Sequence, residues 1–325
     1  MNVSLARRLF IASAIGLSSV ASLAQGYPDK PVQILVGFSA GGPTDVVARL
    51  FAEGLSQRLK RPFVVENVNG ANGDIAAALM MKKPADGHTV MWAASAQTVF
   101  GPIMRKKPRF DPVKDWSLIA MTSGFGFIAV VSPKLPVQDM RSFVEYARKN
   151  PGKLSFSSSG TGGPNHLLGE RLNMVAGLDL THVPYKGDAQ AVIDLVAGNV
   201  SIHFLSPNVA LPLIGAGKLK ALAVTTPARQ AMFGDVPTMR ESGFDDLTVE
   251  LFNGLVARDG TPPEIVRTLN AEINEVLKDQ ELVARLATLG TYPIGGTPSQ
   301  FQQQVEQQTK LWRGIVQRAN IPQSD

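Results

Sequence analysis

The chain of 325 residues contains no cysteine. That excludes disulfides, cysteine metal sites and a lipid-anchoring thiol, and a core of this size needs no covalent staple to fold. Histidine is scarce, with His88, His166, His182 and His203 the full set. None follows His203, and no pair of histidines or carboxylates has metal-ligand spacing. Charged residues make up only 18% and hydrophobic residues 44%, which excludes a disordered, charge-rich chain. The formal charge of +5 is scattered. Its densest run, Arg105-Lys106-Lys107, has no aromatic stacking platform beside it, so it reads as a solvated loop and not as a nucleic-acid surface. Beyond the N-terminus no apolar run approaches the ~18 residues of a membrane span.

The N-terminus carries an address. Arg7 and Arg8 precede an apolar run from Leu9 to Ala21, and Ser22-Leu23-Ala24 is a small-x-small cleavage site. This pattern predicts a secretory signal peptide over residues 1–24, with Gln25 as the first mature residue and export to the periplasm.

Two stretches organise the rest. In the first, the apolar strand Val32–Val36 runs into Gly37-Phe38-Ser39-Ala40-Gly41-Gly42-Pro43-Thr44-Asp45 and then a helix. Pro43 suits a first helical position, where its missing N–H has no partner to lose. In the second, Leu154–Ser158 runs into Ser159-Gly160-Thr161-Gly162-Gly163-Pro164-Asn165-His166 and another helix. Each is strand, glycine loop, helix, and each points free helix N–H groups at whatever lies above its strand. Such an end favours an anion through hydrogen bonds and the helix dipole. Two such loops predict two α/β lobes that present helix N-termini to a shared cleft.

The remaining pattern supports this. Strands at 62–67 and 89–93 with helices at 44–59 and 75–82 give a βαβαβ unit, hence a parallel sheet with crossover helices. Ligands of such sheets lie outside the carboxyl ends of the strands. Ser39, Asn69, Asn72, Ser95 and Gln97 map there. Phe100–Trp116 reads as irregular, and the segments 118–121 and 127–131 as the first crossing into a second lobe. Helices at 140–150 and 189–197 and strands near 181–184, 201–205 and 219–225 make that lobe α/β as well. The chain then returns through strand 252–257 and helices beginning at Pro262-Pro263, Gln280 and Pro298. The predicted division is 25–124 with 226–325 as lobe 1 and 125–225 as lobe 2, joined by a hinge. Trp92, Trp116 and Trp312 read as packing residues.

Gly37-Phe38-Ser39-Ala40-Gly41 also matches a G-x-S-x-G nucleophile elbow. Against a secreted esterase built on Ser39, no histidine lies in the C-terminal third, and several strands that precede such an elbow are missing. A phosphate loop fails because no Gly-Lys-Ser/Thr follows the glycines, and a dinucleotide fingerprint fails on glycine spacing. No cofactor is predicted. Asp45 either favours its helix dipole or accepts from a ligand amine. His166 either faces the cleft or bonds its own loop, and Lys186 is either a surface lysine or a carboxylate partner.

The ordered landmarks Tyr27-Pro28-x-Lys30-Pro31, Gly41-Gly42-x-x-Asp45-x-x-Ala48-Arg49, Asn69-Gly70-Ala71-x-Gly73, Pro151-Gly152-Lys153-Leu154, Val183-Pro184-Tyr185-Lys186-Gly187 and Asp235-Val236-Pro237-Thr238 span the mature chain. In them the chain resembles the substrate-binding proteins of tripartite tricarboxylate transporters, the Bug family of periplasmic receptors. The resemblance implies an α/β, two-lobe Venus-flytrap, type II periplasmic-binding-protein fold, each lobe a mostly parallel sheet flanked by helices. It implies a non-catalytic monomer that holds a small carboxylate and presents it to integral-membrane permease subunits, or to a membrane sensor. By position, the ligand set would be Ser39, Ala40, Gly41, Gly42, Thr44 and Asp45 from the first loop, with Asn72, Ser95 and Gln97. Ser158, Ser159, Thr161, Gly162, Gly163 and His166 would come from the second loop, and Tyr185, Lys186 and Asp188 from beyond it. Gly37-Phe38-Ser39-Ala40 departs from the family's usual Pro-Phe-Pro-Pro, so the resemblance does not name the ligand.

Overall fold

A computed structural model describes residues 26–324. The expected signal peptide and its cleavage site lie outside the described residues. The first lobe is built on a six-stranded sheet of order β11-β4-β10-β3-β1-β2. Its strands are β1 (Val32–Val36), β2 (Phe63–Asn67), β3 (Thr89–Ala94), β4 (Trp116–Phe125), β10 (Leu251–Arg258) and β11 (Tyr292–Pro293). The second is built on a five-stranded sheet of order β7-β6-β8-β5-β9. Its strands are β5 (Ile128–Val131), β6 (Ser155–Ser158), β7 (Thr181–Pro184), β8 (Ile202–Leu205) and β9 (Lys220–Val224).

Both sheets are mixed. β1 runs parallel to β2 and β3, and β6 runs parallel to β7 and β8. The strands that carry the chain between lobes join antiparallel: β10 against β3 and β4, and β5 against β8 and β9. β1 and β6 each sit between the two strands that follow them in parallel. Each therefore ends at a point where the chain leaves to one side and returns on the other, where α/β sheets bind ligands. The two glycine loops leave these two strand ends.

The helices match the apolar periodicity. α1 (Pro43–Leu59) buries Val47, Leu50, Phe51 and Leu55 at helical spacing, and Phe51 packs on Trp92 with ring centroids 5.0 Å apart. α2 (Asp74–Lys82), α3 (Met140–Lys149), α4 (Pro164–Ala176) and α5 (Asp188–Ala197) cover the two sheets. α6 (Pro207–Gly215) occupies a stretch to which the sequence reading assigned no element. α7 (Pro263–Val276), α8 (Gln280–Thr288) and α9 (Pro298–Arg318) complete the first lobe. α9 also reaches the second lobe, packing on both β4 and α4, and the Arg171 guanidinium of α4 lies 5.9 Å from the centre of the Trp312 ring. One apolar cluster accordingly extends through both lobes, from Leu35 and Met91 through Trp312 and Ile315 to Phe156 and Leu172. Among the described residues no helix is long and apolar enough to cross a membrane.

The crossings lie side by side. Phe127 N donates to Thr225 Oγ1 at 2.9 Å, Thr225 N to Phe127 O at 2.9 Å, and Thr225 Oγ1 to Val249 O at 2.8 Å. A side chain on Gly126 would collide with Thr226, so the outgoing strand stays close to the returning segment. Residues 226–249 run along the second sheet, with Val224 N bonded to Pro237 O and Phe233 in that lobe's core, before the chain enters β10.

Candidate functional site

The two glycine loops have nearly the same backbone. Gly41 and Gly162 have φ of 77° and 79°. Gly42 and Gly163, the N-caps of α1 and α4, have φ/ψ of −73°/164° and −72°/163°. Gly42 N bonds Ser39 O at 3.2 Å, and Gly163 N bonds Gly160 O at 3.4 Å. In each loop the first glycine's N–H is taken by the side chain four residues on. Gly41 N donates to Asp45 Oδ2 at 2.8 Å, and Gly162 N to His166 Nδ1 at 2.9 Å. The left-handed φ is why glycine stands at 41 and 162. Neither N-cap contributes a side chain, so helix N–H groups stay free for a ligand.

Asp45 is buried and fully engaged. Arg49 Nε reaches Oδ2 at 3.0 Å and Asn67 Nδ2 reaches Oδ1 at 2.8 Å. Burial alone would raise its pKa, but the bonds from Arg49, Gly41 and Asn67 prevail and hold the carboxyl below the usual range. Asn67 also donates to Phe38 O, so the Asp45–Asn67–Arg49 network fixes the first loop. The second loop is fixed by rings. Phe156, His182 and His166 stack, the two imidazoles 3.7 Å apart. His182 Nε2 lies 2.7 Å from Ser158 Oγ. Burial and the neighbouring His166 push the His182 pKa down to about 4, against a smaller opposing pull from Glu170.

The predicted ligand residues divide into two groups. Several are occupied in bracing. Gln97, fully buried, receives Ala94 N and donates to Asn72 O at 2.8 Å, pinning the 70–73 loop against the end of β1. Ser95 exchanges bonds with the backbone of Phe252. Asp45, Ser158 and His166 hold their own loops, and the Tyr185 hydroxyl donates to Asp194 at 2.6 Å. Burial and that carboxylate push its pKa up to about 12. Lys186 is exposed and has no partner among the described residues. Ser39, Ala40 and Gly41 are exposed at the first loop, with Gly42 half-buried beside them.

The others line two cavities at the junction of the lobes. One, of about 660 Å³, is lined by Asn72 with Ser159, Thr161, Gly162 and Gly163, against Phe100, Met104 and the C-terminal residues Pro322–Ser324. A side chain on Gly162 would collide with Met104, so glycine there also permits close approach between lobes. The second, of about 300 Å³, brings Thr44 and Asp188 together with Ser206, Asn208, Asn253 and Thr291. Here too the lobes meet at a glycine: a Cβ on Gly290 would strike Pro207. No Lys or Arg lines either cavity. A third hollow, of about 560 Å³, lies away from both loops along α9 and does hold cations, among them Lys310 and Arg313.

Sequence reasoning missed Ser206, Asn208 and Asn253. Ser206-Pro207-Asn208 carries the same helix-start signature as Gly42-Pro43-Thr44, and a lone Asn inside the apolar run Leu251–Ala257 is a signal in itself. Among the described residues no histidine bonds Ser39. The Ser157–His203–Asp188 chain has distances of 2.8 and 3.4 Å, but Ser157 and His203 are fully buried and present no nucleophile to a substrate.

The family model described as "Tripartite tricarboxylate transporter family receptor" matches residues 47–321. Protein BugT of Bordetella pertussis is 32% identical over 309 residues, 95% of this chain and 94% of that one. The solved structure of R. palustris Rpa4515 with adipate is 31% identical with a TM-score of 0.76, covering 92% of this chain and all of that one. MatC (Rpa3494) from Rhodopseudomonas palustris with bound malate is 29% identical with a TM-score of 0.71, covering 89% of this chain and all of that one. Two mixed sheets, matched glycine loops and these likenesses agree, and the chain belongs to the tripartite tricarboxylate transporter receptors, the Bug family.

Proposed function

We propose that the protein is a periplasmic receptor that captures a small organic carboxylate between its lobes and delivers it to the membrane permease of a tripartite transporter. One observation carries the reading. Two loops of matched backbone open two helices at the interlobe cleft, and no Lys or Arg lines the cavities beside them. An anion there is met by backbone N–H groups and helix dipoles, which fix a carboxylate without specifying the remainder of the molecule. The relatives with adipate and malate carry ligands of this class.

The mechanism follows from the hinge. A ligand that touches both lobes binds the closed arrangement better than the open one, and that difference shifts the population toward closure. The bonded crossings at Phe127, Thr225 and Val249 keep the lobes in register while they move. The close contacts at Gly162 and Gly290 let the lobes meet.

A thermal-shift screen of the mature chain, stripped of ligand by refolding, tests this with small carboxylic acids and their methyl esters. An acid at ~1,000 times its Kd adds about 4 kcal/mol of stability and raises Tm by several degrees, and its ester does not. If no acid shifts Tm, the receptor reading fails.

A further inference from the structure

The smaller cavity, beside the N-terminus of α1, is lined by hydrogen-bond acceptors and one carboxylate, with no cation to balance it. Asp188 opens α5, and its side chain is 31% exposed. Its Oδ1 faces Asn165 Nδ2 at 3.3 Å and His203 Nε2 at 3.4 Å. Its Oδ2 has no partner among the described residues. His203 is fully buried and its Nδ1 lies 2.8 Å from Ser157 Oγ. With the Ser157 hydroxyl donating to Nδ1, a neutral imidazole donates its Nε2–H to Asp188, and the negative charge of Asp188 stays uncancelled.

Asn253 supplies a second acceptor. It is 95% buried on β10, and its amide nitrogen donates to Ser123 Oγ at 3.2 Å. Its carbonyl oxygen has no partner among the described residues, and the residue lines the same cavity as Asp188 and Thr44. A half-buried carboxylate and a buried amide oxygen that both lack donors are costly in a closed cleft unless a ligand supplies them. A plain dicarboxylate supplies the wrong charge. An ammonium supplies three N–H donors and the compensating charge.

We propose that the ligand is a small amino-carboxylate, whose carboxylate lies at the N-terminus of α1 and whose ammonium pairs with Asp188 Oδ2 and Asn253 Oδ1. This rests on the carboxylate-receptor reading above and narrows it. The cavity of about 300 Å³ has room for both charged ends of one small molecule. Asp188 is the specificity-determining residue, because it penalises a second carboxylate as strongly as it rewards an amine.

The test is isothermal titration of the ligand-stripped mature chain with matched pairs that differ only in the amine: aspartate against succinate, glutamate against glutarate, alanine against propionate. For at least one pair the amino-carboxylate binds about tenfold tighter or more than its deamino partner, as expected for a charge-assisted hydrogen bond. Asp188→Asn removes that preference while the deamino acid binds as well as before or better. Asn253→Ala lowers the same ratio by about threefold and supplies an independent reading if Asp188→Asn does not fold. A merely structural role for either residue would weaken both members of a pair equally and leave the ratio unchanged, which would overturn the proposal. A deamino acid that binds as tightly as its amino partner would also overturn it and leave the carboxylate receptor standing. Binding by neither member of any pair, nor by any other acid, would overturn both.

Discussion

The two glycine loops share a backbone to within a few degrees, yet they are held by opposite chemistry. The first is held by an anion, Asp45, whose carboxylate gathers Gly41, Arg49 and Asn67. The second is held by an imidazole, His166, stacked on His182 and Phe156. The shared feature is an acceptor four residues beyond the first glycine. The position demands a lone pair aimed at a glycine N–H, and either a carboxylate or an unprotonated ring nitrogen satisfies it. The difference lies in what each brace needs from the solvent. The carboxylate must stay ionised, whereas the imidazole must keep one nitrogen bare.

The largest expected effect breaks the first brace. Asp45→Ala strands the Gly41 N–H, the Asn67 amide and a half-exposed guanidinium, and costs about 3 kcal/mol in a urea unfolding titration. Next, Gly162→Ala costs about 2 kcal/mol, since a left-handed residue is strained and the new methyl meets Met104. Gly41→Ala, at almost the same φ but with open space around it, costs about 1 kcal/mol. Equal costs at the two glycines would deny the close approach at Gly162.

A pH series separates the braces further. The His182 pKa is depressed from 6.5 to about 4, so the unfolded chain binds this proton more readily than the folded one. Its contribution is complete above pH 6.5 and is lost as pH falls toward 4, by about 2 kcal/mol after allowance for partial exposure. Asp45 is shifted the other way in effect: its carboxyl is held below 3.8, so the first loop's brace persists through that window and fails only in stronger acid. His182→Gln should flatten the stability slope between pH 6.5 and 4, and an unchanged slope would assign the loss elsewhere. The smallest effect concerns the shared acceptor itself. His166→Phe leaves Gly162 N unpaired and costs about 1 kcal/mol, part of which His166→Asn recovers by offering an amide oxygen.

Much of this arrangement is legible in the sequence because it is local. Gly-Gly-Pro after an apolar strand announces a loop and a helix start wherever it occurs, so Pro43 and Pro164 open their helices as expected. Strand direction is not local. β10 and β5 lie antiparallel because the chain crosses between lobes and returns, and nothing in their apolar runs records that. Side-chain direction is equally hidden. Ser95 and Gln97 stand at a strand end that faces the cleft, yet both turn inward to hold backbone, since a buried loop carbonyl or N–H needs a partner before a ligand does. Asp45 was open between dipole and ligand contact, and the deciding partner, Asn67, lies 22 residues away on β2. α6 went unread because Pro207 and Pro212 look like breakers, although the first is a helix opener.

A crystal structure of the mature chain with whichever small carboxylate raises Tm most tests the central claim directly. A carboxylate oxygen within about 3 Å of backbone N–H groups at the glycine loops or the α1 N-terminus, with no Lys or Arg in contact, is the predicted result. The same carboxylate seated instead in the hollow along α9, against Lys310 and Arg313, would contradict the account and leave the two loops without a ligand to hold.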